Sequence, residues 1–414
     1  MGIEWATVEV FERLFTDNFD VNGFIKSDSV PVLAKGTFAV VFKSEDVVGS
    51  KSAAGYVVRV AVSPPGPDQE FAFQKELQAL VAYLKLTSLD PEPKHNTVVA
   101  ISNDMQPSGL CKVYCYYVLA KASSRVVITV MPLGKPLIDV IEEELIAASE
   151  QPGEQQPRQT DVVVTGMSQL AMGLKGMHEK NIYWRDCKVD NVVIVDGNTE
   201  IIDINSGVCT VGYASHEQLN KLDLSKVDLR NNQKVTDAME RVLASQPDHQ
   251  TWVTQDVFAL SIVILEWLTF GMFTYPYNRE EASPSYAQLL LFELEVYNLL
   301  LAELSDVYDV TVLKGRLDRK MAHWKGLVDE RIDPTSQRVR DLTLWPLAVT
   351  DFKRDRRLFD LWAALAFWDH IDHRFGFIGH WSDWYFDCVV CVCVCVCVYV
   401  YVCVYVCVCV CVCV

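Results

Sequence analysis

The sequence predicts an α+β fold in which a small β-rich region comes first and a larger, mainly helical region follows. From about residue 30 to residue 131 the chain is built of short β-branched runs broken by turn signals, with one helical stretch among them. Beyond Met131 the apolar residues switch to helical spacing. With 414 residues, 50% hydrophobic and 22% charged, the chain is long and apolar enough for a substantial core.

The elements follow in order. Residues 1–29 read as an N-terminal extension; their acidic residues and broken apolar pattern do not fit a signal peptide, and Ala6 spoils the myristoylation pattern after Gly2. Val57 to Val62 reads as a strand, ended by the Pro- and Gly-rich stretch Ser63 to Pro67. A helix from Gln69 to Leu86 carries Phe73, Leu77, Leu80, Val81 and Leu84 on one stripe, and Ser124 to Met131 is a further strand. Residues 132–387 form the helical part. Gln151 to Pro157 is a polar loop, Val163 to His178 an amphipathic helix with Leu170, Leu174 and Met177 inward, and the charged stretch Asn220 to Leu243 adds another helix. Val257 to Phe270 is apolar almost all round; it is short for a bilayer span and reads as a buried core helix. Residues 388–414 alternate Cys or Tyr with Val, with no charge after Asp387. A TG dinucleotide repeat encodes such a tail, which is expected to aggregate and oxidise rather than to function.

Charge and cysteine content exclude several classes. A net charge of −17 with no Lys/Arg run argues against sequence-independent nucleic-acid binding. Ten of the 14 cysteines lie in the tail; Cys111, Cys115, Cys187 and Cys209 have neither disulfide-framework nor zinc-site spacing, which suits a reducing, intracellular setting. His370, His373 and His380, with Asp369 and Asp372, read as packing or surface residues at a Trp- and Phe-rich helix end. Glu142 to Glu144 reads as a solvated helix face.

The segment carrying the most chemistry runs Met177-His178-Glu179-Lys180-Asn181-Ile182-Tyr183-Trp184-Arg185-Asp186-Cys187-Lys188-Val189-Asp190-Asn191. It resembles the catalytic loop of protein kinases, H-R-D-x-K-x-x-N, preceded by the end of a helix. Trp184 stands where the family has His. Asp203, 12 residues after Asn191, holds the place of the Asp of D-F-G, with Ile204 for Phe and Asn205 for Gly. Gln255 to Gly271 resembles the family's D-V-W-S-L-G-V-I-L-x-E-L-L-T-G helix, with Asp256 leading it. Each acid alone reads as an ordinary surface carboxylate. At this joint spacing they read as a site.

The resemblance implies a protein-kinase-like two-lobed fold, with a β-rich N-lobe over 30–131 and a helical C-lobe over 132–387. It implies that Asp186 orients or deprotonates a substrate hydroxyl, that Lys188 contacts the transferred phosphoryl group, and that Asn191 and Asp203 hold Mg2+. Asp256 is implied to hydrogen-bond the catalytic-loop backbone as a structural residue, and Trp184 and Ile204 to fill the packed column of the family's His and Phe. In the N-lobe, Leu33 to Phe42 lines up with the Gly-rich loop, keeping only Gly36 of three glycines, and Val41 would cover the adenine. Arg59 takes the place of the strand lysine, a non-conservative exchange at a phosphate site. Glu76 is the expected partner of Arg59, with Glu70 as rival, and Lys35 or Lys43 are candidate compensating cations. No clear A-P-E element lies between Asp203 and Asp256; Gln246-Pro247-Asp248 fits it poorly.

The activity implied is ATP- and Mg2+-dependent phosphorylation of protein Ser/Thr hydroxyls. Two alternatives stand beside it. One is a pseudokinase that binds nucleotide or scaffolds without catalysis, favoured by Arg59, Ala34, Ala39 and Asn205. The other is a small-molecule kinase of the aminoglycoside or choline type, which Lys188 and the helix after Asp256 disfavour.

Overall fold

A computed structural model describes residues 31–35, 39–48, 55–62, 68–102, 108–121, 124–150, 160–204, 213–215, 226–244, 249–269, 285–327 and 345–367. The tail, the His370 cluster, the loop 151–157, Gly36, Asn205 and residues 245–248 lie outside them.

Among the described residues, the N-terminal part carries an antiparallel sheet of six strands. In chain order they are β1 (Val32–Lys35), β2 (Ala39–Lys43), β3 (Tyr56–Val62), β4 (Val98–Ala100), β5 (Cys115–Lys121) and β6 (Ser124–Pro132), arranged β1-β2-β3-β6-β5-β4. A short helix α1 (Ser44–Val48) follows β2, and Ser44 Oγ donates to Tyr56 O at 3.1 Å. The long helix α2 (Asp68–Leu86) joins β3 to β4 and packs on β3 and β6. Side chains alternate across the pleat, so the two faces belong to different cores. Val40, Phe42, Val58, Val60, Ile128 and Val130 form an outer cluster, whereas Ala39, Ala61, Val127 and Tyr116 join the main core with α2. Register sets Val41 opposite Arg59 and Arg59 opposite Thr129, which puts these three on one face.

The C-terminal part is mostly helical: α3 (Leu137–Glu150), α4 (Thr160–His178), α5 (Asn232–Ala244), α6 (His249–Leu268), α7 (Tyr286–Leu304), α8 (Thr311–Leu327), α9 (Trp345–Arg354) and α10 (Arg356–Ala366). Helix α6 is its axis, packed against α4 and α10, and every residue from Thr251 to Leu268 is buried. That enclosure explains why it is apolar all round. It begins eight residues before the apolar run starting at Val257: His249 and Gln250 are exposed, but Thr251, Thr254, Gln255 and Asp256 are polar and still buried. A capping box starts α7: Gln288 N donates to Ser285 Oγ, and Ser285 N to Gln288 Oε1. A three-stranded sheet interrupts the helical pattern, ordered β7 (Lys135–Pro136), β8 (Val192–Val195) and β9 (Asn198–Ile201). These strands have two to four residues, too few for a readable period.

Among the described residues, two of the contacts that join the parts lie at Gly109 and Lys180. Gly109 has φ +76°, and a Cβ on it would sit 2.2 Å from Gln169 O and 2.8 Å from Gly173 N, so only glycine lets this loop lie flat on α4. From there Ile201 N donates to Gly109 O at 3.0 Å and Cys111 N to Ile201 O at 2.8 Å, which anchors β9 to the N-terminal part. The second contact is Lys180, whose ammonium reaches Leu86 O at 2.8 Å, Lys85 O at 3.2 Å and Ser88 Oγ at 3.3 Å. A cation at these helix-end carbonyls caps α2 and complements its dipole.

The core also holds two carboxyls that keep their protons near neutrality. Burial pushes Glu266, which accepts from the Tyr213 hydroxyl, up to about 8, with Asp190 adding to the rise. Burial pushes Glu200 up to about 7, against the lowering by Lys112 and Cys111. An unfolded glutamate titrates near 4.3, so between that value and about 7–8 the folded chain holds protons the unfolded chain has released. Stability is therefore full at acid pH and falls as pH rises, by up to about 1.4 kcal/mol per pH unit for each group. Thermal melts should decline from pH 5 to 8, and Glu266→Gln should flatten the decline while keeping an oxygen for Tyr213. Identical slopes in variant and wild type would contradict this assignment.

Candidate functional site

The site lies where α2 and β3 of the first part face β8, β9 and the 177–191 segment of the second. Asp256, fully buried on α6, organises that segment. Its Oδ2 accepts from Trp184 N at 2.8 Å and its Oδ1 from Arg185 N at 2.9 Å, while His178 Nε2 lies 2.9 Å from Oδ2. These bonds hold Arg185 at φ +68°, a left-handed conformation that non-glycine residues avoid. The Arg185 guanidinium packs over the Trp252 ring, 4.7 Å from its centroid. Trp184 is completely buried, and its indole Nε1 donates to Ile202 O at 3.2 Å. Ile204 is buried in the same core.

The loop then presents its polar residues. Lys188 Nζ lies 2.9 Å from Asp186 Oδ2. A turn of 3-10 helix, Val189–Asn191, swings Asn191 back so that its Nδ2 donates to Asp186 O at 2.8 Å and to Asp186 Oδ2 at 3.2 Å. Burial lowers the Lys188 pKa, but Asp186 beside it, together with Asp190 and Asp203, outweighs burial and the net shift is upward. Ile202 N donates to Asn191 O at 2.9 Å, so the β8–β9 hairpin returns Asp203 to the neighbourhood of Asn191. Asp203 itself has φ +55°. Left-handed non-glycine residues thus adjoin or form both acidic positions, the kind of stored strain that clusters at functional sites.

From the other side, Arg59 on β3 meets Glu76 on α2 through both terminal nitrogens, at 2.5 and 3.0 Å. Its Nη2 also lies 2.9 Å from Asp203 Oδ1. Burial works against this guanidinium's charge, but Asp203 and Glu76 outweigh it and push its pKa up. Arg59, Glu76, Asp203 and Ile204 line a cavity completed by residues such as Ala79, Tyr83, Thr129 and Met131.

Of the residues singled out from sequence, Arg59, Glu76 and Asp203 are joined by ion pairs, Asp186, Lys188 and Asn191 by another set of bonds, and Asp256 and Trp184 support both. Val41 shares the sheet face of Arg59, opposite it in register. Gly36 lies outside the described residues, as does the Glu70 side chain. Sequence reasoning missed Lys75, half-buried next to Glu76, and Lys180, the cap on α2. It also missed Gln255, which accepts from Ser215 N at 2.7 Å and donates to Tyr213 O at 2.8 Å, fixing the segment after Asp203 to α6. A polar residue beside Asp256 was the available signal for Gln255; isolated lysines gave none.

Among the described residues no group of three or more His, Cys, Asp or Glu side chains is arranged to hold a metal. A full protein cage is not what magnesium requires, since it takes one or two carboxylates together with phosphate oxygens and waters. Asp203 and the amide oxygen of Asn191, whose nitrogen is turned to Asp186, are hard donors of that kind. No protein-family model and no curated protein matches the chain.

Proposed function

We propose that this chain is an ATP-dependent protein kinase with a protein-kinase-like two-lobed fold, transferring the γ-phosphoryl group to Ser/Thr hydroxyls. The observation that carries the proposal is that the loop bearing Asp186, Lys188 and Asn191 is bonded, through Ile202 N to Asn191 O, to the segment whose Asp203 pairs with Arg59, itself paired with Glu76. Phosphoryl transfer asks a protein mainly to position groups and balance charge, and these residue types at these places suit it.

On this reading Asp186 accepts the proton of the substrate hydroxyl as its oxygen bonds to the γ-phosphorus and the bond to the β–γ bridging oxygen breaks, releasing ADP. Lys188, poised 2.9 Å from Asp186, offers positive charge to the transferred group. Asn191 and Asp203 would hold Mg2+, which supplies neutralisation of the phosphate charge when bound. Val41 covers the adenine from the sheet. Asp256 keeps the loop in its left-handed turn.

One observation favours a second reading, a nucleotide-binding pseudokinase. Asp203, the acid assigned to magnesium, is already paired with Arg59. Labelled ATP offered with casein-like proteins, sugars and choline discriminates the readings. Label on protein hydroxyls supports the proposal; label on a small molecule, or nucleotide binding with no transfer at all, rejects it.

A further inference from the structure

Helix α8 packs on α7, and its Leu317, Met321 and Trp324 are buried. Its other side holds Val312, Arg316, Arg319 and His323, spaced four, three and four residues apart, so helical winding gathers them on one face. That face is roughly 16 Å long. Val312 is 64% exposed, Arg319 and His323 are exposed, and Arg316 is half-buried. The two arginines are separated in the sequence, so no Lys/Arg run announces them.

Two features of this face work against the helix on its own. Arg316 and Arg319 are like charges three residues apart, and such neighbours repel. Asp318 does not relieve them, because residues one and two apart point to different sides of a helix. Neither arginine makes an ion pair with any described residue, whereas basic residues on the same helix and on α9 do. Lys325 reaches Glu295 at 3.4 Å, Lys353 reaches Asp306 at 3.0 Å, and Arg354 reaches Asp351 at 3.2 Å. The second feature is Gly315, at an interior helix position where glycine is less favourable than alanine. A Cβ on it would lie 3.9 Å from Arg319 Nη1, so the guanidinium lies over bare backbone. Local choices that cost stability without a gain inside the chain mark functional surfaces.

We propose that this face of α8 is a docking surface for a short acidic protein segment, whose carboxylates Arg316 and Arg319 take while an apolar side chain rests on Val312. A planar guanidinium matches a carboxylate through two parallel hydrogen bonds. Size and charge select this partner. The chain carries a net charge of −17, and screening at physiological salt acts over about 8 Å. A membrane or a nucleic-acid duplex extends beyond the face and meets the acidic remainder of the surface. A peptide short enough to stay on the face does not. The proposal is independent of the phosphoryl-transfer reading.

Fluorescence anisotropy of the full chain with two labelled helical peptides tests it. One carries glutamates three and four residues apart with a leucine one turn away; the other has glutamine for each glutamate. The glutamate peptide should bind saturably, less tightly as salt rises, and the glutamine peptide at least ~10-fold more weakly. Arg316→Gln combined with Arg319→Gln should lose ~10-fold or more of that affinity. Arg356→Gln, which removes an exposed positive charge from α10, should keep it. The double variant should melt no lower than wild type, since a repulsive pair has gone. Folded wild type that binds no glutamate peptide overturns the proposal, as does equal binding in the double variant. Lost binding together with a much lower melting temperature also overturns it, because the arginines would then serve the fold. Tighter binding of anionic vesicles or of an oligonucleotide overturns the assignment of the partner. So does self-association of wild type that the double variant abolishes, which would make the occupant a second copy.

Discussion

Asp256→Ala is expected to be the most destabilising single substitution in the site, lowering stability by about 3–5 kcal/mol. The carboxylate is fully buried and satisfies Trp184 N, Arg185 N and His178 Nε2 together. Removing it leaves these donors in a dry environment, where each unmade bond costs about 1–3 kcal/mol. It also releases Arg185 from its left-handed turn. Folded domains are stable by only about 5–15 kcal/mol, so the variant should melt roughly 10 °C below wild type or fail to accumulate. Asp256→Asn, which can accept one N–H but turns a donor toward the other, should fall between the two. A wild-type melting temperature in the alanine variant would mean that Asp256 does not organise the loop.

The second large effect is on turnover. Asp186→Asn and Asp203→Ala should each reduce phosphoryl transfer by at least ~100-fold, as loss of positioned charge stabilisation does elsewhere. They should differ in binding. Asp186 is held by Lys188 and Asn191, and its replacement by the isosteric amide removes the proton acceptor while leaving the nucleotide's surroundings in place. Asp203→Ala removes the carboxylate assigned to magnesium and frees Arg59 from one of its two partners. Magnesium should therefore cease to improve ATP binding in Asp203→Ala but continue to do so in Asp186→Asn. Turnover near wild type in either variant would detach these acids from the chemistry.

Much of this arrangement was legible because local patterns carry it. The strand at Val57 and the helix after it fix Arg59 and Glu76 within one strand–helix unit, and their pairing needs only the helix to pack on the strand. The loop from Trp184 to Asn191 is equally local. What was hidden depends on long-range placement. Helix α6 runs back to His249 because Thr251, Thr254 and Gln255 are buried by tertiary neighbours, which no hydrophobic period announces. The β7–β8–β9 sheet escapes because its strands are too short for alternation to show. Lys180 looks like a solvated lysine in sequence. Its meaning comes from the helix-end carbonyls brought to it. The extra pairing of Arg59 with Asp203 likewise joins residues 144 positions apart (203 − 59).

If the cleft takes ATP through magnesium, calorimetric titration of the wild-type chain with ATP, in the presence and absence of the metal, will register it without relying on any substrate. Saturable binding at one site, tightened by magnesium, is the expected result. A folded wild-type chain giving no saturable ATP binding in either condition would contradict it.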